Sequence, residues 1–354
     1  MQHRKQLFVV IAVVGMVLAP SAALACGGLV GENGSIQLGK TTTLAAYSNG
    51  IERYVTAFEF TGTGESVGSI VPLPDVPSSV DRGGEWTLQR LQQEVAPPAE
   101  DAASRAVAAG AEAAADVEIV LEKEIDALDI TVLKGGGDAV GQWALENGFF
   151  LPPDAPEVLD FYADRSPVFM AAKFDAGRAA ELGQGAGDST PIMATIPTDD
   201  PWVPLRILGL GLDGKDRVEA DVFLLTDEQP ALLAGGPGIT VERSESASQL
   251  LLDDLRSDKG MKWVPSRMWL SYLQVNAAAP ALNYDLAVAA TADGDPSLTD
   301  AGIGPAAALL LERQSAASRS LVPLAAGLAA GLVLFGVLSL VKRAGWSPTT
   351  PVGP

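Results

Sequence analysis

Histidine is nearly absent from this 354-residue chain, its one copy being His3. That scarcity removes Ser-His-Asp and Cys-His catalysis, histidine-liganded zinc and imidazole pH switching from everything downstream of the N-terminus. Cysteine is equally scarce. Cys26 stands alone, so no internal disulfide can form and stability has to come from packing. Positive charge is thin as well: 24 Lys and Arg stand against 44 Asp and Glu, a net charge of −20. Arg4, Lys5, Lys342 and Arg343 lie at the two ends with no acid among them, so the chain between is more negative than the whole. Such a surface repels nucleic acid and anionic lipid headgroups, which are bound by displacing counterions with Lys and Arg. It attracts cations or basic partners. Apolar residues are not lacking. At 47% hydrophobic the chain can build a sizeable core, which excludes disorder throughout.

The apolar residues gather at both termini. His3-Arg4-Lys5 precedes an apolar stretch from Leu7 to Leu18, broken at Pro20 and Ser21 and followed by Ala23-Leu24-Ala25. A basic start, a short apolar run and an A-x-A site predict a signal peptide cleaved after Ala25. The mature chain would then open on Cys26-Gly27-Gly28. Lipidation of Cys26 would want an aliphatic residue three before it and a small one two before it; Ala23 and Leu24 reverse that order. At the other end, Leu321 to Val341 carries no charge and is followed at once by Lys342 and Arg343. At about 1.5 Å per residue such a run covers the hydrocarbon core of a bilayer. The positive-inside rule places the tail in the cytoplasm. Gly327 and Gly331, four apart, predict a close-packed face for a homodimer through this helix. No wall-sorting motif precedes it.

The expected organisation is a signal peptide at 1–25, an extracytoplasmic domain at 26–291 and a juxtamembrane linker at 292–319. A transmembrane helix at 320–341 and a cytoplasmic tail at 342–354 complete it. The expected partners are the lipid bilayer and an envelope component, with no nucleic acid and no cofactor. The expected location is the cell membrane, single-pass.

Within the domain, Thr41–Tyr47 and Ile51–Phe60 read as strands joined through Ser48-Asn49-Gly50, a strong hairpin signal. Val67–Val71 reads as a third strand, making a meander. Trp86–Val95 and the Ala-rich stretch Ala99–Ala115 read as helices. Val117–Leu121 and Ile130–Leu133 read as strands, with Gly135-Gly136-Gly137-Asp138 breaking and capping a helix to Asn147. Pro156–Ala163 and Ser246–Ser257 read as further helices. Val168–Phe174, Ile192–Ile196, Leu205–Leu210, Val218–Leu225 and Leu286–Ala290 read as strands. Without regular βαβ alternation this predicts an α+β fold, mostly antiparallel sheet with surface helices. Tyr54–Phe60 followed by Ile70-Val71-Pro72 is faintly similar to Val168–Phe174 followed by Thr195-Ile196-Pro197, which suggests two related β-units.

Ala25-Cys26-Gly27-Gly28, the run Ser69-Ile70-Val71-Pro72-Leu73-Pro74-Asp75-Val76-Pro77, and Pro191-Ile192-Met193, Pro204-Leu205-Arg206 and Val222-Phe223-Leu224-Leu225 follow in order. This pattern resembles the bacterial exported family catalogued as domain of unknown function 2330, over roughly residues 25–230. The resemblance implies export and membrane association, with no established activity and no catalytic residues to carry over. A second cysteine close to the first, which the resemblance implies, is missing here.

Candidate chemistry is sparse. Asp213-Gly214-Lys215-Asp216 and Asp293-Gly294-Asp295 fall short of the alternating oxygen ligands of a calcium loop. Asp253 and Asp254 fit the solvated face of the Leu250–Leu255 helix. Asp199-Asp200 before Pro201-Trp202 is the most suggestive group, since carboxylates beside an aromatic can grip a sugar or act as acid and base. It fits an Asx turn equally well. The expectation is a non-catalytic binding or scaffold module of the envelope, with a carboxylate-dependent, glycosidase-like hydrolase as the alternative.

Overall fold

A computed structural model describes residues 23–24, 28–31, 40–58, 67–95, 117–184, 190–233, 238–291 and 293–304. Ala25, Cys26, the Ala99–Ala115 helix and the C-terminal features at Leu321, Gly327, Gly331, Val341, Lys342 and Arg343 lie outside these residues. Among the described residues no helix is long and apolar enough to cross a membrane. The chain divides into two compact units, Met1–Ser297 and Leu298–Pro354. Of the second, only residues 298–304 are described. They form a turn closed by the Gly302 and Ile303 N–H groups, which donate to the Thr299 and Leu298 carbonyls.

The strands of the first unit begin with β1 (Ala23–Leu24), β2 (Gly28–Gly31), β3 (Lys40–Ser48), β4 (Ile51–Phe58), β5 (Val67–Pro72) and β6 (Ser79–Arg82). Next come β7 (Glu118–Ile125), β8 (Leu128–Lys134), β9 (Val168–Phe174), β10 (Thr190–Pro197), β11 (Trp202–Val203) and β12 (Arg217–Thr226). The last are β13 (Ala231–Leu232), β14 (Ile239–Ser246), β15 (Trp269–Ala278) and β16 (Leu286–Ala289). The helices are α1 (Thr87–Val95), α2 (Gly137–Glu146), α3 (Ala155–Ala163), α4 (Ala176–Leu182) and α5 (Gln249–Ser257).

Three sheets result. The largest runs β14-β15-β12-β3-β4-β10-β6, with β1 also beside β3; a five-stranded sheet runs β2-β5-β9-β8-β7; and β11-β16-β13 make a small third. Only the β12–β3 and β1–β3 pairings are parallel, so the fold is a mixed α+β one dominated by antiparallel sheet. Ala23 and Leu24 form β1, so cleavage after Ala25 would remove this strand and leave β3 its β4 and β12 neighbours.

The β3–β4 hairpin follows from its turn. Asn49 and Gly50 both have positive φ, 54° and 72°, the type I′ geometry that matches strand twist. Ser48 then pairs with Ile51 and Thr43 with Thr56. The expected meander does not continue. β5 lies in the five-stranded sheet between β2 and β9, and the place beside β4 goes to β10, which pairs with it over eight residues. The two faintly similar stretches interleave instead of forming separate sheets. β4 of the first stretch pairs with β10 of the second, and β5 of the first with β9 of the second.

The central strands of the large sheet are buried on both faces, which is why β10 and β12 read as near-continuous apolar runs, whereas β14 is largely exposed. On β12, Val222 and Leu224 join one core while Phe223 and Leu225 join the other. Tyr54 and Val55 divide in the same way on β4. Leu88 and Leu91 of α1 and Leu251, Leu252 and Leu255 of α5 cover one face. The five-stranded sheet, α2, α3 and the small sheet join the core on the other.

The two helices over the first face are tied together through their ends and sides. Asp258, just beyond α5, accepts from the Glu85 and Trp86 N–H groups and from Thr87 Oγ1 at 2.7–3.1 Å, capping α1 from 171 to 173 residues away in the chain. Asp254 is more than solvated: Arg90 Nε donates to it at 2.7 Å, linking α1 to α5. Asp253 meets Arg256 on α5 itself. At α2 the cap is Gly136, with no side-chain bond; Asp138 sits in the first turn and serves its dipole instead.

Candidate functional site

The run Leu205–Leu210 is a 3-10 turn over Arg206–Gly209, not the expected strand. Its backbone donors are taken by a buried carboxylate. Asp285, at the head of β16 and fully buried, accepts at Oδ1 from the Leu205 N–H (2.8 Å), the Arg206 N–H (3.1 Å) and the Tyr162 hydroxyl (2.8 Å). Arg165 Nη1 donates to Oδ2 at 3.0 Å, and the Ile207 N–H donates to Tyr162 Oη at 2.9 Å. α3 supplies Tyr162, and Arg165 follows just past its end. β11 pairs with β16 and so brings Trp202 against Ala287, beside the same knot. Burial pushes the Asp285 carboxyl up, against the pull of Arg165 and the two backbone N–H groups. With both oxygens engaged, Asp285 is a structural anchor.

Trp202 stacks on Tyr162, ring centres 5.8 Å apart and 19° from parallel, while the Arg165 guanidinium lies 4.2 Å from the Trp202 ring. The indole is 2% exposed. Asp199 and Asp200 are exposed in the preceding turn, where the Asp200 N–H donates to Thr198 Oγ1 at 3.2 Å. The three residues thus share one corner, with the carboxylates outside and the aromatic ring buried below them.

A second carboxyl lies beneath that corner, and its environment is the opposite of Asp285's. Glu52 is 1% exposed, and neither of its carboxyl oxygens makes a hydrogen bond of good geometry, the Trp202 amide being its nearest donor. Burial pushes its pKa up to about 8; the Trp202 amide and Arg165 pull the other way and Asp200 adds to the rise. Beside it is a cavity of about 10 Å³, room for a single water. Glu52, Tyr47, Thr226, Trp202, Pro201 and Val288 are among its walls. Tyr47 is the one lining residue that is not buried. Its hydroxyl donates to the Thr198 carbonyl at 3.0 Å. Burial raises the phenol's pKa, and so do Asp199, Glu52, Asp200 and Asp227 around it. Asp227 accepts from Ser48 Oγ at 2.7 Å.

Register explains why these groups meet. Tyr47 pairs with Glu52, Thr226 with Tyr47, Trp269 with Thr226 and Ser246 with Trp269, one row across five neighbouring strands of the large sheet. At the Trp269 end lies an open basin of about 550 Å³, bounded by Asp227, Glu228, Ser246, Gln249, Arg267 and Trp269. The Trp269 indole N–H donates to Ser244 Oγ at 2.9 Å. Sequence reading found Asp199, Asp200 and Trp202 but not Glu52, Tyr47 or Trp269. Strand alternation puts Glu52 on the face of Tyr54, and that was the signal available.

No group of three or more acidic or sulfur ligands able to hold a metal occurs among the described residues. Asp213 and Asp216 form a local turn, with the Lys215 and Asp213 N–H groups donating to the Asp213 and Asp216 carboxylates.

Fold and site together define a mixed, mostly antiparallel α+β protein. A saturated buried aspartate anchors its sheet end, and an unsatisfied buried glutamate lies nearby. The chain belongs to the family described as an uncharacterised protein conserved in bacteria (DUF2330), matched over residues 20–226. That span holds Tyr47, Glu52, Asp199, Asp200 and Trp202, whereas Trp269 and Asp285 lie beyond it. None of the curated proteins matches. Among solved structures the chain is similar to baculovirus P35. A mutated P35 after caspase cleavage is 8% identical with a TM-score of 0.37, covering 71% of this chain and 99% of that one. P35 in its caspase-8 complex is 8% identical with a TM-score of 0.34, covering 71% and 93%. P35 alone is 7% identical with a TM-score of 0.33, covering 70% and 96%. At that overlap the likeness carries no argument about this chain.

Proposed function

We propose that this protein is a non-catalytic binding or scaffold module of the bacterial cell envelope, exported and held by one C-terminal transmembrane helix. The terminal apolar segments and their basic flanks support the anchoring. The placement of Glu52 supports binding over hydrolysis. A carboxyl with a pKa raised to about 8 has the makings of a general acid, but its cavity admits one water and no sugar ring. Asp199 and Asp200, the other half of a carboxylate pair, stand outside in solvent. The basin at Trp269 is open and broad by contrast, with polar and charged side chains at its rim.

The deciding experiment is in-cell crosslinking of the tagged full chain, followed by membrane fractionation. The expected result is recovery in the membrane fraction with a specific envelope companion. Recovery of the unprocessed chain from the cytosol, alone, would overturn the proposal.

A further inference from the structure

We infer that the Asp295–Pro296 peptide bond is a self-cleavage site, at which acid frees the folded domain from its membrane anchor. The release rests on the anchored-module reading; the scission itself does not.

Two Asp–Pro bonds occur in the chain, Asp200–Pro201 and Asp295–Pro296. Such a bond carries its own nucleophile. The aspartate carboxylate can close a five-membered ring on the carbonyl carbon of its own residue. Proline then leaves as a secondary amine, more basic than the primary amine of any other residue. With nucleophile and carbonyl in one residue, a side-chain rotation replaces a collision.

The fold treats the two bonds oppositely. Pro201 is buried, and the chain is gripped on both sides of it. The Thr198 N–H donates to the Gly50 carbonyl at 3.1 Å, and Trp202 pairs with Ala287. The nitrogen there is shielded from the proton it must gain, and the ends of a broken bond would stay together. Asp295, by contrast, is exposed, and residues 294–297 belong to no helix or strand. The last tie to the sheet is the turn before them. The Gly294 and Ala231 N–H groups both donate to the Thr291 carbonyl at 3.1 Å. A Cβ on Gly294 would collide with that of Ala289 in β16, so the chain is packed against the sheet up to this glycine. Asp293 is engaged within the turn, where Thr291 and its own N–H hold its carboxyl below the usual range. Asp295 is the first carboxylate beyond.

Breaking this bond costs the fold nothing. β16 ends at Ala289 and the first compact unit at Ser297. Scission after Asp295 leaves every described strand and helix on one fragment, and the apolar run Leu321–Val341 on the other.

The step balances with water alone. A carboxylate oxygen of Asp295 bonds to its own carbonyl carbon, the C–N bond breaks, and the Pro296 nitrogen leaves with a proton from solvent. Water then opens the cyclic anhydride, restoring the side-chain carboxyl and leaving a new α-carboxyl. Because the nitrogen must gain a proton, scission quickens as the solution turns acidic. The ionisable groups beside the bond are acidic too, Asp293 before it and Asp300 after it. Ala231 of β13 and Ala289 of β16, which hold the preceding turn, bring no charge.

The test keeps the full chain in open membrane fragments at pH 4 and pH 7 over several days, beside a urea-unfolded sample. Intact mass and N-terminal sequencing read the products. Expected at pH 4 are a soluble fragment ending at Asp295 and a membrane-retained one beginning at Pro296, with Asp200–Pro201 whole. The unfolded sample should break at both bonds. Asp295→Asn and Pro296→Ala should each slow scission about tenfold or more without moving the urea midpoint. The inference falls if the folded chain stays whole at pH 4, if it breaks as fast at Asp200–Pro201, or if Asp295→Asn breaks at the parent rate. Two soluble fragments would uphold the scission and sink the anchor; an unbroken chain retained in the membrane would do the reverse.

Discussion

Tyr162 donates its hydroxyl proton to Asp285 at 2.8 Å across 123 residues of chain, and the same oxygen accepts from the Ile207 N–H. The aspartate also answers Arg165 and two backbone N–H groups, so its removal unpairs the Leu205 and Arg206 N–H groups and the Tyr162 hydroxyl and takes a carboxylate from Arg165. Asp285→Ala is expected to cost about 3–5 kcal/mol of stability. Arg165→Met should fall in the same range, and the double variant should lose less than the sum of the two. Urea denaturation measures all three.

Glu52→Gln should make the protein more stable, by an amount set by pH. The folded carboxyl binds its proton up to about pH 8, whereas an unburied glutamate releases it near 4.5. Between those values the folded state holds a proton that the unfolded state has lost. Stability therefore falls as pH rises through the window and levels off beyond it. The whole penalty is on the order of 5 kcal/mol. Parent and variant should match at pH 4 and diverge steadily to pH 8. A constant gap across that range would mean that Glu52 does not titrate there.

Asp258→Ala should loosen α1. Burial pushes the Asp258 carboxyl up, but the Glu85 and Trp86 N–H groups, Thr87 Oγ1 and the Lys259 N–H outweigh it and hold the pKa below the ordinary 3.8. This contribution is complete above pH 3.8 and is lost as pH falls through the depressed value. The variant should lose about 2 kcal/mol at neutral pH. Amide exchange should speed up at 87–95 before it does in the central strands.

Gly50→Ala tests the hairpin turn alone. A Cβ there meets nothing within 4 Å, so the cost is conformational, from φ at +72°. About 1 kcal/mol is expected. Asn49 tolerates its own positive φ because its short amide side chain suits left-handed backbone.

Where local chemistry decided the structure, the sequence was legible. Asn49-Gly50 announced the β3–β4 hairpin, and the leucines of 250–255 announced α5, which starts later than the expected Ser246, at a cap where Ser248 Oγ accepts from the Leu251 N–H at 3.1 Å. Burial on both faces left β12 legible as an apolar run but hid β15. β15 was missed because Leu270 and Tyr272 face one core while Leu273 and Val275 face the other, which erases the alternation that marks a strand. Leu205–Leu210 looked like a strand because nothing nearby shows that Asp285 takes its backbone donors. At the site, the exposed Asp199 and Asp200 could be read from composition. Glu52 could not, because an isolated glutamate between Ile51 and Arg53 reads as solvent-facing until β10 and β12 are known to flank its sheet.

The exchanged pairing of β4 with β10 and β5 with β9 sets the order in which the molecule can assemble. The five-stranded sheet has all its members once residue 174 has been synthesised. The β3–β4 hairpin then still lacks β10, β12 and β15, the last ending at Ala278. Until those strands and α5 arrive, Leu44 and Val55 have only α1 to cover them and the hairpin lacks its β10 and β12 neighbours. Nascent chains halted between these points are the species most exposed to aggregation and most dependent on a holding chaperone.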